Sequence, residues 1–239
     1  MSVSAVAFQR WIGQVAPGAS TADVCRLSGV KRSTLAQQLV RGKVAEATVV
    51  AVARAYGRNP VLGLAEFEPY HELAASIAPP TDAEVLSQTP TARLLAELLA
   101  RVGGGPRHAA AAAGDEGSAV RQWVEAIDDG ELRQRVSAAA GIAPQNYSAQ
   151  LSANRLAPEL AVRTAREAGV GLRNGLVVTG LVTAAEAGWP STAVEDALER
   201  LSDAELAFLA SERLATLARA LKRQEHDDRA AQRAWDHLA

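Results

Sequence analysis

An all-α protein, built twice over in one chain, is the expectation from three observations. Of 239 residues, 48% are apolar but only 4% aromatic. Ala, Leu, Arg and Glu outweigh β-branched runs, which is the composition of helices rather than strands. Gly and Pro recur between segments of helical length. The chain also repeats itself at an offset of 112 positions, the step from Trp11 to Trp123. In that frame Gly18 falls on Gly130, Gly29 on Gly141, Gln38-Leu39 on Gln150-Leu151, Ala53-Arg54 on Ala165-Arg166, Gly57 on Gly169 and Gly63-Leu64 on Gly175-Leu176. Matched Trp, Gly and Gln-Leu positions without an insertion point to an internal duplication. Two unrelated bundles sharing an Ala-Leu bias are the alternative.

The repeat sets the expected organisation. A first unit occupies residues 1–101, a linker residues 102–118, and a second unit residues 119–239. The linker sequence VGGGPRHAAAAAGDEGS is rich in Gly and Ala and has no apolar period. The balance of 25 Lys/Arg against 27 Asp/Glu leaves a net charge of −2, so the whole chain is no polycation. The charge is uneven along the chain, however. Residues 1–75 carry eight basic and five acidic groups, residues 120–182 seven and six, and residues 183–239 seven and eleven. One cysteine excludes a disulfide framework and a Cys-clustered zinc site. Polar residues interrupt the N-terminal MSVSAVAFQRW too often for a signal-peptide core. The most apolar stretch, 175–182, is far too short to cross a membrane. A cytoplasmic location is expected.

The elements of the first unit follow in order. Val6, Phe8, Ile12 and Val15 recur at helical spacing until Pro17-Gly18 stops them. Ser20 or Thr21 can cap a second helix that runs to Leu27. Ser28-Gly29-Val30 reads as a tight turn in which Gly supplies a positive φ. A third helix is expected over 32–40, a fourth over 45–56 ending at Gly57, and a fifth opened by Pro60 and running to about Glu68. The second unit carries the same punctuation, with Gly141 at the turn, Pro144 opening the third helix and Gly169 closing the fourth. Thr81-x-x-Glu84, Thr192-x-x-Glu195 and Ser202-x-x-Glu205 are capping boxes for the appended helices. Two short helices joined by a Gly turn, with supporting helices around them, make the helix-turn-helix layout. The expected fold is therefore all-α, two tandem helix-turn-helix bundles with appended helices.

The segment TADVCRLSGVKRSTLAQQLVRGK resembles the lambda-repressor-like (Cro/CI-type) DNA-binding domain. Ala22 early in the second helix, Gly29-Val30 at the turn, Arg32-Ser33-Thr34 opening the third helix and Gly42-Lys43 at its exit carry the likeness, and AVARAYGRNP resembles the family's fourth helix. The second unit has Gly141-Ile142 at the turn, but Asn154-Arg155 stands where the family has Gly-Lys. Two such units in one chain resemble the immunity repressors of actinobacterial phages. The resemblance implies double-stranded DNA as partner and repression of transcription as function, with no cofactor and no catalysis.

A recognition helix lies in the major groove with its N-terminal residues at the base edges. With Leu35 and Leu39 facing the core, Arg32, Ser33, Ala36 and Gln37 share the outward side. Arg suits guanine, and Gln suits adenine. Lys31, Arg41 and Lys43 flank the helix and suit phosphates. Ser20, Thr21, Thr34 and Gln38 complete the candidate DNA-contacting set of the first unit. In the second unit Tyr147 and Leu151 take the core positions. Gln145, Asn146, Ser148 and Ala149 are the candidates there, with Arg155 for a phosphate. Outward Gln, Ser and Asn are also ordinary solvated surface, so the second unit either reads bases or only supports. Unlike readers in one chain imply a monomer on an asymmetric site.

The remaining features carry less. Cys25 reads as a small core residue. His71, His108, His226 and His237 lack metal-ligand spacing, and Gly103-Gly104-Gly105 lacks the Lys-Ser/Thr of a phosphate loop. Leu206, Leu209, Leu214, Leu217 and Leu221 keep helical spacing, so one stripe is expected to be buried, on the second bundle or in a dimer seam. The rival to a repressor is an antitoxin or anti-repressor, in which the second unit and the C-terminal helix bind a protein.

Overall fold

The computed structural model describes residues 3–103 and 119–236. The fold is all-α apart from one minimal antiparallel ladder between β1 (Val3–Ser4) and β2 (Lys43–Val44), which pairs Val3 with Val44. Strands of two residues are too short to leave a periodic signal in the sequence. The ladder ties the N-terminus to the exit of the third helix.

Between and after these strands come α1 (Ala5–Val15), α2 (Thr21–Ser28), α3 (Arg32–Val40), α4 (Glu46–Ala55) and α5 (Pro60–Ala65). α5 stops at Ala65, short of the expected end at about Glu68, and a separate 3₁₀ segment follows at Glu68–Leu73. Its Tyr70 hydroxyl donates to Glu46 on α4 at 2.8 Å, which seats the segment on the bundle. Two helices then close the first half, α6 (Asp82–Gln88) and α7 (Thr91–Gly103). The second half runs α8 (Val120–Ile127), α9 (Leu132–Ala140), α10 (Pro144–Ser152), α11 (Pro158–Glu167), α12 (Leu172–Val178), α13 (Ala184–Ala187), α14 (Ala193–Arg200) and α15 (Asp203–Asp236). The repeat frame carries both ends of α3 onto α10 and both ends of α4 onto α11.

The chain divides into two compact units, each made of two separate stretches. Among the described residues the first unit holds 3–88 with 119–193, and the second holds 89–103 with 194–236. This differs from the sequential boundaries 1–101 and 119–239. Both helical bundles belong to the first unit, while α7 joins α15 in the second. Of the expected linker, Val102 and Gly103 close α7, and 104–118 lies outside the described residues.

In the first unit, one core gathers Phe8, Trp11, Val24, Leu35, Val49, Leu64 and Leu73, and it also takes in Val162, Leu176 and Val182 from the second bundle. A second core forms around Trp123, Leu132, Val136, Tyr147 and Leu151. Trp11 packs against Phe8 and Phe67. Cys25 is buried.

In the second unit, α7 and α15 pack together and bury Leu94, Leu206 and Ala210. The Arg101 guanidinium donates to the carbonyls of Leu198 and Leu201 at 2.6 and 2.8 Å, which satisfies the exposed end of α14. Glu97 lies between Arg93 at 3.2 Å and Arg101 at 3.0 Å. Burial works against its charge, yet the two guanidiniums hold its carboxyl below the usual carboxylate range. The expected leucine stripe is only partly covered. Leu206 is buried, but Leu214, Leu217 and Leu221 are exposed, because the helix that covers α15 is only 13 residues long against its 34. No helix among the described residues is long and apolar enough to cross a membrane.

Candidate nucleic-acid interface

The segment expected to be the first helix-turn-helix comprises α2, the turn at Gly29 and α3. Gly29 closes α2 at φ 72°, in the left-handed region, and lets the chain turn within the three residues 29–31 that lead into α3. Gly141 does the same after α9 at φ 63°. Leu35 anchors α3 to the core at 1% exposure, and Tyr147 anchors α10 at 0%. The Tyr147 hydroxyl meets Thr164 on α11 at 3.0 Å, and burial pushes the phenol above its usual range.

These anchors turn the opposite faces outward. Lys31, Arg32, Ser33, Thr34, Ala36, Gln37, Arg41 and Lys43 are all exposed. Among the described residues no carboxylate pairs with Lys31, Arg32, Arg41 or Lys43. Other arginines of the same unit are committed elsewhere, Arg121 to Glu125, Arg133 to Asp128, Arg135 to Asp129 and Arg163 to Glu159. Cations without a carboxylate partner beside α3 are what phosphate attraction requires. Neither α3 nor α10 has a side-chain cap, so no capping side chain occupies their first-turn N–H groups. In the second bundle Gln145, Asn146, Ser148, Ala149 and Arg155 are exposed in the matching positions.

Two expected contacts, Ser20 and Gln38, turn out to have structural work. The Ser20 hydroxyl forms a capping box with Asp23, donating to its carboxylate at 2.6 Å and accepting from its N–H at 3.2 Å. Hydrogen bonds from Ser20 and then Arg26 hold the Asp23 carboxyl below its usual range. Thr21, the first residue of α2, stays exposed beside that cap. Gln38 is half-buried, and its Oε1 accepts from the Ala45 N–H at 3.1 Å and from the Thr48 hydroxyl at 3.0 Å. It caps α4, which has no capping side chain of its own. Its counterpart Gln150 accepts from the Ala157 N–H at 3.3 Å and caps α11 in the same way.

Asn154 stands at φ 50° where Gly42 stands at φ 71°. The departure from Gly-Lys therefore leaves the backbone conformation unchanged, since Asn tolerates the left-handed region better than most residues. Val40 stands outside the set expected from the sequence. It is 89% exposed on the outward row that includes Ser33 and Ala36, and an apolar side chain there suits a thymine methyl. Its spacing of four from Ala36 was the available signal. Among the described residues no cluster of His, Cys, Asp or Glu could hold a metal ion.

No family model, curated protein or solved structure matches the chain.

Proposed function

We propose that the protein is a sequence-specific double-stranded DNA-binding protein that represses transcription by occupying its site, as a phage-type immunity repressor does. It needs no cofactor. The supporting observation is the pairing of an exposed, polar face on α3 with flanking cations that have no carboxylate partner among the described residues. α3 supplies Arg32, Ser33 and Gln37 to base edges. α10 supplies Gln145 and Asn146, with Ser148 and Ala149 behind them. Lys31, Arg41, Lys43 and Arg155 take phosphates. The two faces differ, so the site is asymmetric in its letters, and one chain is enough to occupy it. Selection from random DNA, followed by gel-shift titration of the Gln145→Ala/Asn146→Ala double variant, tests the reading. A selected sequence that the double variant binds less tightly, with non-specific affinity unchanged, supports it. Failure to enrich any sequence refutes it.

A second reading has its own support in the exposed Leu214, Leu217 and Leu221 of α15. In it the first bundle binds DNA while α15 holds a protein partner, as in an antitoxin or anti-repressor. Unchanged specific affinity in the double variant favours this second reading.

A further inference from the structure

The contacts that join the two bundles within the first unit come in reciprocal pairs. The repeat frame carries α4 onto α11 and α5 onto α12, and it carries the 3₁₀ segment onto the stretch that leads into α13. Arg54, on α4, reaches Glu186 on α13 at 2.6 Å. Its counterpart Arg166, on α11, reaches Glu72 in the 3₁₀ segment at 2.8 Å. α5 packs on α13, and α12 packs on the 3₁₀ segment. Asn59, the cap of α5, donates to the Glu186 carbonyl at 2.9 Å. At the start of α12 the Leu172 N–H donates to Ser76 at 3.2 Å. Counterparts also share one core, which holds Val50 and Val162 as well as Leu64 and Leu176.

When patch i of one body meets patch j of the other while j meets i, the contact is isologous, and a two-fold rotation generates it. A head-to-tail arrangement gives no such reciprocity. The relation covers the elements from α4 through the 3₁₀ segment on one side and those from α11 through α13 on the other, with α4 meeting α13 and α11 meeting the 3₁₀ segment; α6 breaks it by lying on α8.

We propose that the two bundles form an intramolecular pseudo-dimer, and that the DNA it takes is a pair of unlike half-sites in inverted orientation. This rests on the DNA-binding reading above. A two-fold that lies across the duplex, as the dyad of a dimer on its operator does, reverses the direction of the related helices along the duplex, so α3 and α10 run in opposite directions along it. The half-sites are inverted because the backbones are related by rotation. They differ in letters because Arg32, Ser33, Gln37 and Val40 stand where the second bundle has Pro144, Gln145, Ala149 and Ser152. Ion pairs and a shared core fix the spacing between them, as a dimer interface does between two chains.

Tethered cleavage reads the direction of each helix. Iron-EDTA is attached at Ser33→Cys and Val40→Cys on α3, and at Gln145→Cys and Ser152→Cys on α10, one cysteine at a time in the full chain. All four positions are exposed, and the buried Cys25 makes the unsubstituted protein the control. Seven residues of helix span about 10 Å, or about three base pairs. On the selected sequence, the step from 33 to 40 shifts the cleavage centre about three base pairs one way, and the step from 145 to 152 shifts it about three the other way. Shifts in the same direction, or a shift below one base pair for either helix, overturn the pseudo-dimer and leave two DNA readers standing. Absence of localised cleavage from both α10 positions, with α3 cleavage retained, overturns the second reader and the inference together. If no sequence is selected at all, the DNA-binding reading itself falls.

Discussion

The indole of Trp123 donates from inside the second bundle to the Glu84 carboxylate at 3.1 Å. Glu84 is fully buried, and its other oxygen accepts from Asn174 at 3.0 Å and from the Thr81 N–H at 3.0 Å. A capping residue of α6 thereby becomes the acceptor for two side chains of the other bundle. Removing it leaves both donors buried and unpaired, at about 1–3 kcal/mol each. Glu84→Ala is expected to lower the unfolding free energy by about 2–4 kcal/mol, and Glu84→Gln by less. Urea titration followed by tryptophan fluorescence checks this. A loss below about 1 kcal/mol in Glu84→Ala contradicts the network.

Counterpart glycines respond unequally to a methyl group. A Cβ on Gly175 lies 2.5 Å from the Ala161 carbonyl oxygen, where α12 crosses α11. A Cβ on Gly63 lies 3.1 Å from the Ala53 side chain, so the neighbour gives by only a few tenths of an ångström. Gly175→Ala is expected to cost about 3 kcal/mol, at the top of the usual range for overpacking, and Gly63→Ala about 1 kcal/mol. Thermal unfolding of the two variants side by side decides it, and equal costs refute the argument.

Adjacent glutamines separate structure from recognition. Gln38→Ala removes the cap on α4 and is expected to cost about 1–2 kcal/mol of stability while leaving sequence preference intact. Gln37→Ala is expected to change stability by less than about 0.5 kcal/mol and to weaken specific binding. Denaturation and gel-shift titration of both variants check the crossed pattern.

The cations around α3 divide the same way. Arg32→Ala is expected to cost about 1–3 kcal/mol of specific binding and to relax the selected sequence at one position. Lys43→Ala is expected to weaken all sequences alike and to flatten the salt dependence by about one unit. Identical salt slopes for Lys43→Ala and the unsubstituted protein would rule out a phosphate contact.

Acid is expected to loosen the joint between the bundles. The Arg54 hydrogen bond brings the Glu186 carboxyl down to about 2 from an ordinary 4.5, against the opposing effect of burial. A carboxyl lowered on folding contributes stability that is complete above its unfolded value. That contribution is lost as pH falls from about 4.5 towards 2. Glu186→Gln should therefore flatten the fall of Tm in that window, at some cost in Tm at neutral pH. A parallel acid slope in the variant counts against the ion pair.

Helix boundaries were legible because their signals are local. Glycines stop helices, and Ser/Thr-x-x-Glu boxes start them, as Thr81 with Glu84 and Ser202 with Glu205 do. The tertiary use of those residues was not legible. Glu84 reads as a cap, yet its position against Trp123 depends on a partner 39 residues away. Gln38 reads as outward surface because it neighbours Gln37, and only the approach of α4 reveals its task. The exposed leucines of α15 have regular spacing, but periodicity states which residues share a face and not what covers it. The division into units was hidden for a similar reason. α7 follows the first bundle in sequence, yet its apolar and charged partners lie on α14 and α15.

That last arrangement has a consequence for synthesis. α7 is complete at residue 103, but α15 begins at residue 203. At about 5–20 residues per second, α7 waits on the order of 5–20 seconds for the helix that covers it. Throughout that interval Leu94 and the Arg93–Glu97–Arg101 ladder stand in water beside a nascent chain. The second unit is therefore the last part of the protein to mature. A ribosome that stops between those two points releases a chain with an uncovered amphipathic helix, a ready substrate for a chaperone or a protease.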